Sequence, residues 1–354
     1  MMYARSLSLL TIALAGALPS FAAGEEEPLS RIMFGSCARE NKPQPIWESI
    51  VNQKPELFLL IGDNIYGDSR DVEVLRAKYK KLFEKPGFVK LRKTCPVLAT
   101  WDDHDYGEND AGEEYPIKAE SQKLFNDVFG VPEDSPRRKR PGIYDAQIFG
   151  PPGKRVQVIL LDTRYFRSKL RTWQPKERPA GRGPYRPHEE DADVTLLGEA
   201  QWEWLEEELK KPAQLRIIAS SIQVVPYEHG WESWGNFPAE RKRLFDLIAK
   251  TRAGATLFIS GDRHLAEISR IAPQESGVSY PLYDVTSSSL NQPSGGANDD
   301  EPNRYRVGDN FLPINFGSIV VDWNHETPHV DVAIHDHEGK VVLEQNLTLT
   351  GISP

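Results

Sequence analysis

The sequence predicts an α/β fold, and three observations carry that prediction. Short apolar runs such as Leu57-Phe58-Leu59-Leu60-Ile61 have the length and composition of strands buried on both faces. Amphipathic, charge-bearing stretches of helical character lie between them. The runs end in polar clusters, which puts carboxylates at the carboxyl edge of a sheet, where α/β folds bind ligands.

In chain order, a short acidic leader (24–30) precedes a strand over 31–34 and the turn Gly35-Ser36-Cys37-Ala38. A helix is expected over 45–53, then the strand 57–61, which breaks at Gly62 and delivers Asp63, Asn64 and Tyr66. Taken alone, this break could be a tight turn in which Asp63 and Asn64 cap a helix. A charged amphipathic helix over 72–83 stops near Pro86-Gly87. A third strand, 97–100, runs into Trp101-Asp102-Asp103-His104-Asp105. A helix over 117–129 follows, then a loop, 132–141, whose basic cluster 137–140 reads as a solvated surface run. Strand 156–161 ends in Asp162-Thr163-Arg164. The stretch 171–193 carries Pro, Arg and Gly without periodicity, and loops of that length in compact domains tend to be lids or binding loops.

A helix over 196–210, with Thr195 as its cap, leads to a strand over 215–220 that runs into Ser221 and Gln223. An aromatic loop over 231–237 and a helix over 239–251 precede the strand 256–260, which delivers Gly261-Asp262-Arg263-His264. His188 and His229 read as ordinary surface or rim residues, and Trp173, Trp231 and Trp234 as core packing more than pocket wall. Helices then thin out. Strands over 281–287 and 318–323 bracket a Gly/Asn/Asp-rich loop, 291–309, and a hairpin pairs 330–335 with 341–349 about Glu338-Gly339. No internal repeat or linker divides the chain, so 23–354 is expected to be a single domain.

Residues 1–22 read as a secretory signal peptide: Arg5 is the positive region, 6–18 the apolar core and Ser20-Phe21-Ala22 the small-x-small cleavage signal. The apolar run is too short to span a bilayer, and no Cys sits at the cleavage point for a lipid anchor. The expectation is a secreted or periplasmic protein with no stable membrane anchor. Residues 1–22 hold one basic residue and no acidic one, so of the 43 Lys+Arg in the chain 42 remain against 52 Asp+Glu, a formal −10. That balance speaks against nonspecific nucleic-acid binding. A phosphorylated small substrate stays open, because metal ions reverse the potential of a site.

Two cysteines in an exported protein, Cys37 and Cys95, suggest a disulfide. Their placement argues otherwise. Cys37 follows the carboxyl end of one strand and Cys95 precedes the amino end of another. If those strands run parallel, a strand length of roughly 17 Å separates them, whereas a bridge needs Cα atoms about 4.4–6.8 Å apart. Both are expected to be free.

Carboxylates gathered at one sheet edge repel each other unless cations lie between them. A multinuclear metal site is the simplest resolution; a protonated cluster with structural ion pairs is the alternative. The order GSC, GDNIYGD, WDDHDYG-x-ND, LDTR, SSIQ and GDRHLAE resembles the alkaline phosphatase D (PhoD-like) branch of the calcineurin-like metallophosphoesterases, from Arg31 to the end. Many members carry an extra amino-terminal β domain; here only the leader 24–30 separates the expected cleavage point from the first strand, so no such domain is expected.

The resemblance implies a four-layer α/β/β/α sandwich with metals at the strand ends. It implies Fe3+ and, in at least some members, Ca2+, with another divalent metal possible. Cys37 then matches a thiolate ligand, Asp63 the carboxylate that bridges metals and Tyr66 a phenolate ligand to iron. Asp103 fits the position that ligates the second metal, and His104 the acid that faces substrate. Asp262 and His264 match a closing Gly-His-x-His motif with Asp in place of the first His, which shifts that site toward oxygen ligands and a harder cation. The implied chemistry is phosphoric ester hydrolysis, with metal-activated hydroxide attacking phosphorus and His104 protonating the departing alkoxide. Arg164 could hold a phosphate oxygen through its fork, or form a buried salt bridge. The competing reading is a secreted metal- or phosphate-binding module that has lost catalysis.

Overall fold

The computed structural model describes residues 27–294 and 301–348. The segment read as a signal peptide lies outside them, as does part of the 291–309 loop. β1 (Arg31–Gly35), β2 (Leu57–Ile61) and β3 (Val97–Thr100) run parallel, Ile32 beside Leu57 and Phe58 beside Val97. They are joined by α1 (Ile46–Asn52), α2 (Val72–Phe83) and α3 (Pro86–Thr94). After α4 (Asp103–Tyr106) and α5 (Lys118–Val128) the chain starts a second sheet, with β4 (Asp145–Phe149) antiparallel to β5 (Val156–Leu160). A two-residue pair, β6 (Arg171–Thr172) and β7 (Tyr185–Arg186), closes the strap 171–193 on itself.

Next come α6 (Glu199–Leu209), β8 (Leu215–Ser220), α7 (Pro238–Thr251), β9 (Thr256–Ser260), β10 (Ala266–Ile271), α8 (Pro273–Ser276) and β11 (Leu282–Ser287). The chain then returns to the first sheet with β12 (Asn315–Asp322), β13 (His329–Asp336) and β14 (Val341–Thr348). The sheet orders are β14-β13-β12-β1-β2-β3 and β10-β11-β9-β8-β5-β4. In the second sheet β5, β8, β9 and β11 are mutually parallel.

Successive side chains of a strand point to opposite faces, and β2 shows what that does here. Leu57, Leu59 and Ile61 enter a core between the two sheets, with Ile32, Val158, Ile217, Ile259 and Ile319. Phe58 and Leu60 face the other way, into a core with Trp47, Leu82, Phe88, Leu91 and Phe125 from the helices. A third core lies outside the second sheet, where Ile159, Ile218 and Phe258 meet Trp202 and Leu205 of α6 and Leu244 and Ile248 of α7. The layers are therefore α/β/β/α, as expected. Each fully buried Leu, Ile or Phe side chain contributes about 1.5–3 kcal/mol, and strands apolar on both faces have no other stable placement.

Several expectations are corrected. The helix over 72–83 stops at Phe83 as expected, but Pro86 then opens a further helix, α3, at its first turn, where the missing N–H costs nothing. β4 and β10 were not expected as strands. α6 begins at Glu199 rather than 196, with Gly198 at its cap and φ of 73°, and Thr195 Oγ1 instead accepts from the Gly198 N–H at 2.8 Å. Arg137 is not solvated: it is buried and donates to the Ala99 carbonyl at 3.0 Å. Cys37 and Cys95 are both free and buried, as their strand ends required. No helix among the described residues is long and apolar enough to cross a membrane.

Candidate metal centre

The carboxyl ends of β1, β2 and β3 meet those of β8 and β9 at one edge of the sandwich. Two glycines let them approach. A Cβ on Gly62 would lie 2.6 Å from the Asp102 Cβ, and one on Gly261 would lie 2.5 Å from the Ser36 Oγ. The turns beyond the strands are tight enough that Cys37, Asp63, Asp262 and His264 all adopt positive φ, between 50° and 67°. Non-glycine residues seldom do so, and they cluster where function over-determines the backbone. The turns are pinned to each other by the Cys37 N–H on the Gly62 carbonyl (3.3 Å), the Ala38 N–H on the Asp63 carbonyl (2.8 Å) and the Gly261 N–H on the Ser221 carbonyl (3.0 Å).

These turns gather the predicted residues. Three overlapping groups bring ligand atoms within 4.8 Å of one another: Cys37, Asp63 and His264; Asp63, Asp103 and His104; Asp102, Asp103 and Asp262. Asp63 belongs to the first two and Asp103 to the last two. Cys37 Sγ donates to Asp63 Oδ2 at 3.4 Å and lies 3.2 Å from Ser288 Oγ. The Tyr66 hydroxyl lies 3.0 Å from His264 Nε2. Asp63 Oδ1 and Asp102 Oδ2 are buried with no hydrogen-bond partner. A buried, unpaired carboxylate oxygen is costly unless a cation meets it, so the donor set fits bound metal.

Electrostatics agree. Burial, with Asp262 adding against hydrogen bonds from Ser288 and Ser36, pushes the Cys37 thiol up to about 11. Burial likewise raises Tyr66 and Asp63, each further raised by Cys37. Burial lifts Asp262 to about 7 against the pull of Arg263, with Asp103 and Glu232 adding to the rise. Cys37, Tyr66, Asp63 and Asp262, which must be anionic to ligate, are thus held toward their neutral forms, the tension a cation reverses. Asp103, despite its burial, is instead held below the usual carboxylate range by His104 and Arg164. His264 is pushed down to about 4 by burial and by Arg263 and His104, and neutral imidazole is the ligating form. His104 goes the other way: burial opposes its charge, but Asp103, Asp63 and Asp68 push it up to about 11.

His104 and His264 line a pocket of about 330 Å³ with Asp63, Asp103, Asn109, Asp110, Trp231, Glu232, Asp262 and Arg263. Arg164 is a correction. It does not line this pocket; it is fully buried, its Nε donating to Asp102 Oδ1 at 2.6 Å and its Nη1 to Glu232 Oε2 at 2.7 Å. It takes the salt-bridge alternative and acts on the site through Asp102, whose Oδ1 also accepts from Ser221 Oγ at 2.6 Å. His188 and His229 are buried, not surface residues, and Trp234 is core while Trp231 lines the pocket.

Sequence reasoning passed over Asp68, which accepts from His104 Nδ1 at 2.7 Å, although it closes the GDNIYGD motif. It also passed over Asp102, the neighbour of Asp103 in WDDHDYG. Glu232, ion-paired with both Arg164 (2.7 Å) and Arg167 (2.9 Å), left no local signal at all.

The sequence profile of the PhoD-like phosphatases matches residues 32–346. The chain belongs to that family. It is 22% identical over 318 residues to alkaline phosphatase D of Bacillus subtilis (strain 168), covering 79% of this chain and 53% of that protein. It thus spans about half the length of the curated relative it matches. Among solved structures, PhoD superposes with a TM-score of 0.67 at 16% identity, over 92% of this chain and 73% of that one. GAP50, described as the anchor in the inner membrane complex of Plasmodium, gives 0.59 at 14%, over 92% and 90%. A dimetal phosphatase from Danio rerio gives 0.52 at 12%, over 92% and 100%. At these identities the structural likeness concerns the fold, and the two-sheet architecture is the one they share with this PhoD-like chain.

Proposed function

We propose that this chain is an exported, metal-dependent phosphoric ester hydrolase acting on small phosphomonoesters, phosphodiesters or both. The observation that carries the reading is Asp63: one carboxylate common to two ligand groups, with Oδ1 buried and unpartnered. Cys37, Asp63, Tyr66 and His264 would hold one ion, with a thiolate and phenolate that suit Fe3+. Asp63, Asp102, Asp103 and Asp262 would hold the other through oxygen, which suits Ca2+ or another hard divalent cation. Metals there would polarise phosphate oxygens and lower the pKa of water, supplying a nucleophile at neutral pH.

The chain's own residues complete the reaction. His104, its Nδ1 bonded to Asp68, keeps its other ring nitrogen to hand a proton to the departing alkoxide. Arg164 and Ser221 fix one oxygen of Asp102 so that the other stays turned to the cluster. The name of the Bacillus relative and the dimetal neighbour support the same class of activity. The reading includes residues 1–22 as a cleaved signal peptide, 23–354 as a single PhoD-like domain, and a secreted or periplasmic location without a stable membrane anchor. A metal- or phosphate-binding module without catalysis is less well supported, because His104 stands in the pocket with a full ligand set.

The test is nitrophenol release from p-nitrophenyl phosphate and bis-p-nitrophenyl phosphate, by metal-stripped protein and after return of Fe3+ and Ca2+. Metal-dependent release from either ester is expected. Metal uptake with no release from either would leave only the binding module.

A further inference from the structure

One wall of the pocket is aromatic, and the metal chemistry makes no use of it. Trp231 lines the pocket beside Asp103, His104 and Asp262. It is 41% exposed, and the other large hydrophobic side chains exposed among the described residues are valines. The segment that carries this open indole is held in place from several sides. Its backbone N–H donates to His229 Nδ1 at 3.0 Å, and His229 is itself buried. The strap packs against it: the Gly183 N–H donates to the His229 carbonyl at 2.7 Å and the Tyr185 N–H to the Gly230 carbonyl at 2.8 Å. Any Cβ at Gly183 would lie 2.8 Å from Trp231 Cδ2, so only glycine lets the strap come this close. The Arg263 guanidinium carbon stands 5.3 Å from the ring centroid. The Tyr185 hydroxyl donates to Asp110, another pocket residue, which ties strap and pocket together.

We propose that Trp231 is a stacking platform for the leaving group, selecting phosphoesters that carry a flat aromatic ring, as a nucleoside or aryl ester does. The proposal rests on the hydrolase reading of the same pocket. Offset stacking on an indole is favourable beyond area burial, and a ring already fixed loses little entropy on binding. Removing such a platform typically weakens binding by about 5- to 150-fold per base.

The metal-loaded protein is assayed with adenosine 5′-phosphate against ribose 5-phosphate, and with the methyl diester of each. Within each pair the ribose 5′-alkoxide departs in the same way, and only the ring differs. The wild type should prefer the adenosine member by about 5- to 150-fold in kcat/KM, expressed in KM. Trp231→Ala should remove the preference and Trp231→Phe keep most of it. Calorimetric titration of adenosine 5′-phosphate and ribose 5-phosphate into both proteins reads the same preference without turnover. Equal wild-type affinity for the two ligands, or equal losses for both in Trp231→Ala, overturns the platform. A binding preference for the adenosine ligand with no hydrolysis of any ester keeps the platform and removes the hydrolase reading instead.

Discussion

Asp63→Asn should make the metal-stripped protein more stable while it destroys metal binding. Asp63 is 1% exposed, its Oδ2 takes only the Cys37 thiol at 3.4 Å, and its Oδ1 takes nothing. Burial, with Cys37, Asp103 and Asp102 adding against His104, raises its pKa well above the carboxylate range. In the unfolded chain the same carboxyl ionises near 3.9. The raised folded value therefore destabilises the native state at every pH above that point. An amide of the same shape carries no charge to desolvate, and relief on the order of 1–3 kcal/mol is expected at pH 8. For a domain of this size that is a Tm increase of roughly 1.5–4.5 °C. Metals reverse the sign: the wild type gains about 2.7 kcal/mol at a hundredfold excess over Kd, and the variant does not. Calorimetric melts of stripped and loaded protein, with metal analysis and nitrophenyl phosphate turnover beside them, measure every term. A variant that melts lower than wild type when stripped, or that keeps full metal and full turnover, refutes the reasoning.

His104→Asn should slow alkyl phosphates by about 10²–10⁴-fold and nitrophenyl phosphates far less, because only the former need a proton on the leaving oxygen; equal losses would count against the acid role. Tyr66→Phe keeps the ring but removes the hydroxyl 3.0 Å from His264 Nε2. If Tyr66 binds Fe3+ as phenolate, the protein is coloured and the variant loses or shifts the band with part of its iron, whereas an unchanged visible spectrum at full iron occupancy would show that another group supplies the colour. In the stripped protein Asp262, lifted to about 7, holds a proton that the unfolded chain releases near 4. The stability of Asp262→Asn relative to wild type should therefore grow by a few kcal/mol between about pH 4 and pH 7, read from urea midpoints. A flat or shrinking difference would mean that Asp262 is paired more fully than the geometry indicates.

Much of the fold was legible because strands buried on both faces leave mainly apolar runs: β2 and the centre of β9 are unbroken, and β5 and β8 are interrupted only by Gln157 and Arg216 before their ends. β4 (DAQIF) lies at the edge of its sheet and is only partly buried, so its composition does not separate it from loop. β10, at the other edge, carries Glu267 and Arg270 and owes its pairing to β11, a tertiary neighbour. Pro86-Gly87 could mark an end or a beginning, since Pro suits the first turn of a helix as well as the residues past its last. At the site, the strand-end motifs exposed the acids, the thiol and the imidazoles. Motifs do not tell which polar residue faces the pocket and which supports from behind. Arg164 and Asp162-Thr163 leave the same kind of strand end as Asp63, yet Arg164 turns inward because Asp102 and Glu232 await it there. Its partner Glu232 lies in the loop before α7 and is brought there only by the fold.

The backbone of the centre explains why its residues defy local preference. Left-handed φ at Cys37, Asp63, Asp262 and His264 costs about 1–3 kcal/mol at each non-glycine position. On conformational grounds alone glycine would serve at all four. Each instead carries a thiol, a carboxylate or an imidazole, so the side chain outweighs the conformational preference. The strain persists because the turns are over-determined: the Leu290 N–H binds the Ser36 carbonyl at 2.9 Å, the Asn291 N–H binds the Cys37 carbonyl at 3.2 Å, and the His264 N–H binds Ser288 Oγ at 2.8 Å. The segment after β11 thus clamps the turns after β1 and β9 at once. A left-handed residue reverses the chain just past the strand, which swings its side chain back over the sheet edge. Two sheets that both end this way and face each other place those side chains within one another's reach. The same reversal that strains the backbone is what brings Cys37, Asp63 and His264 into one ligand group.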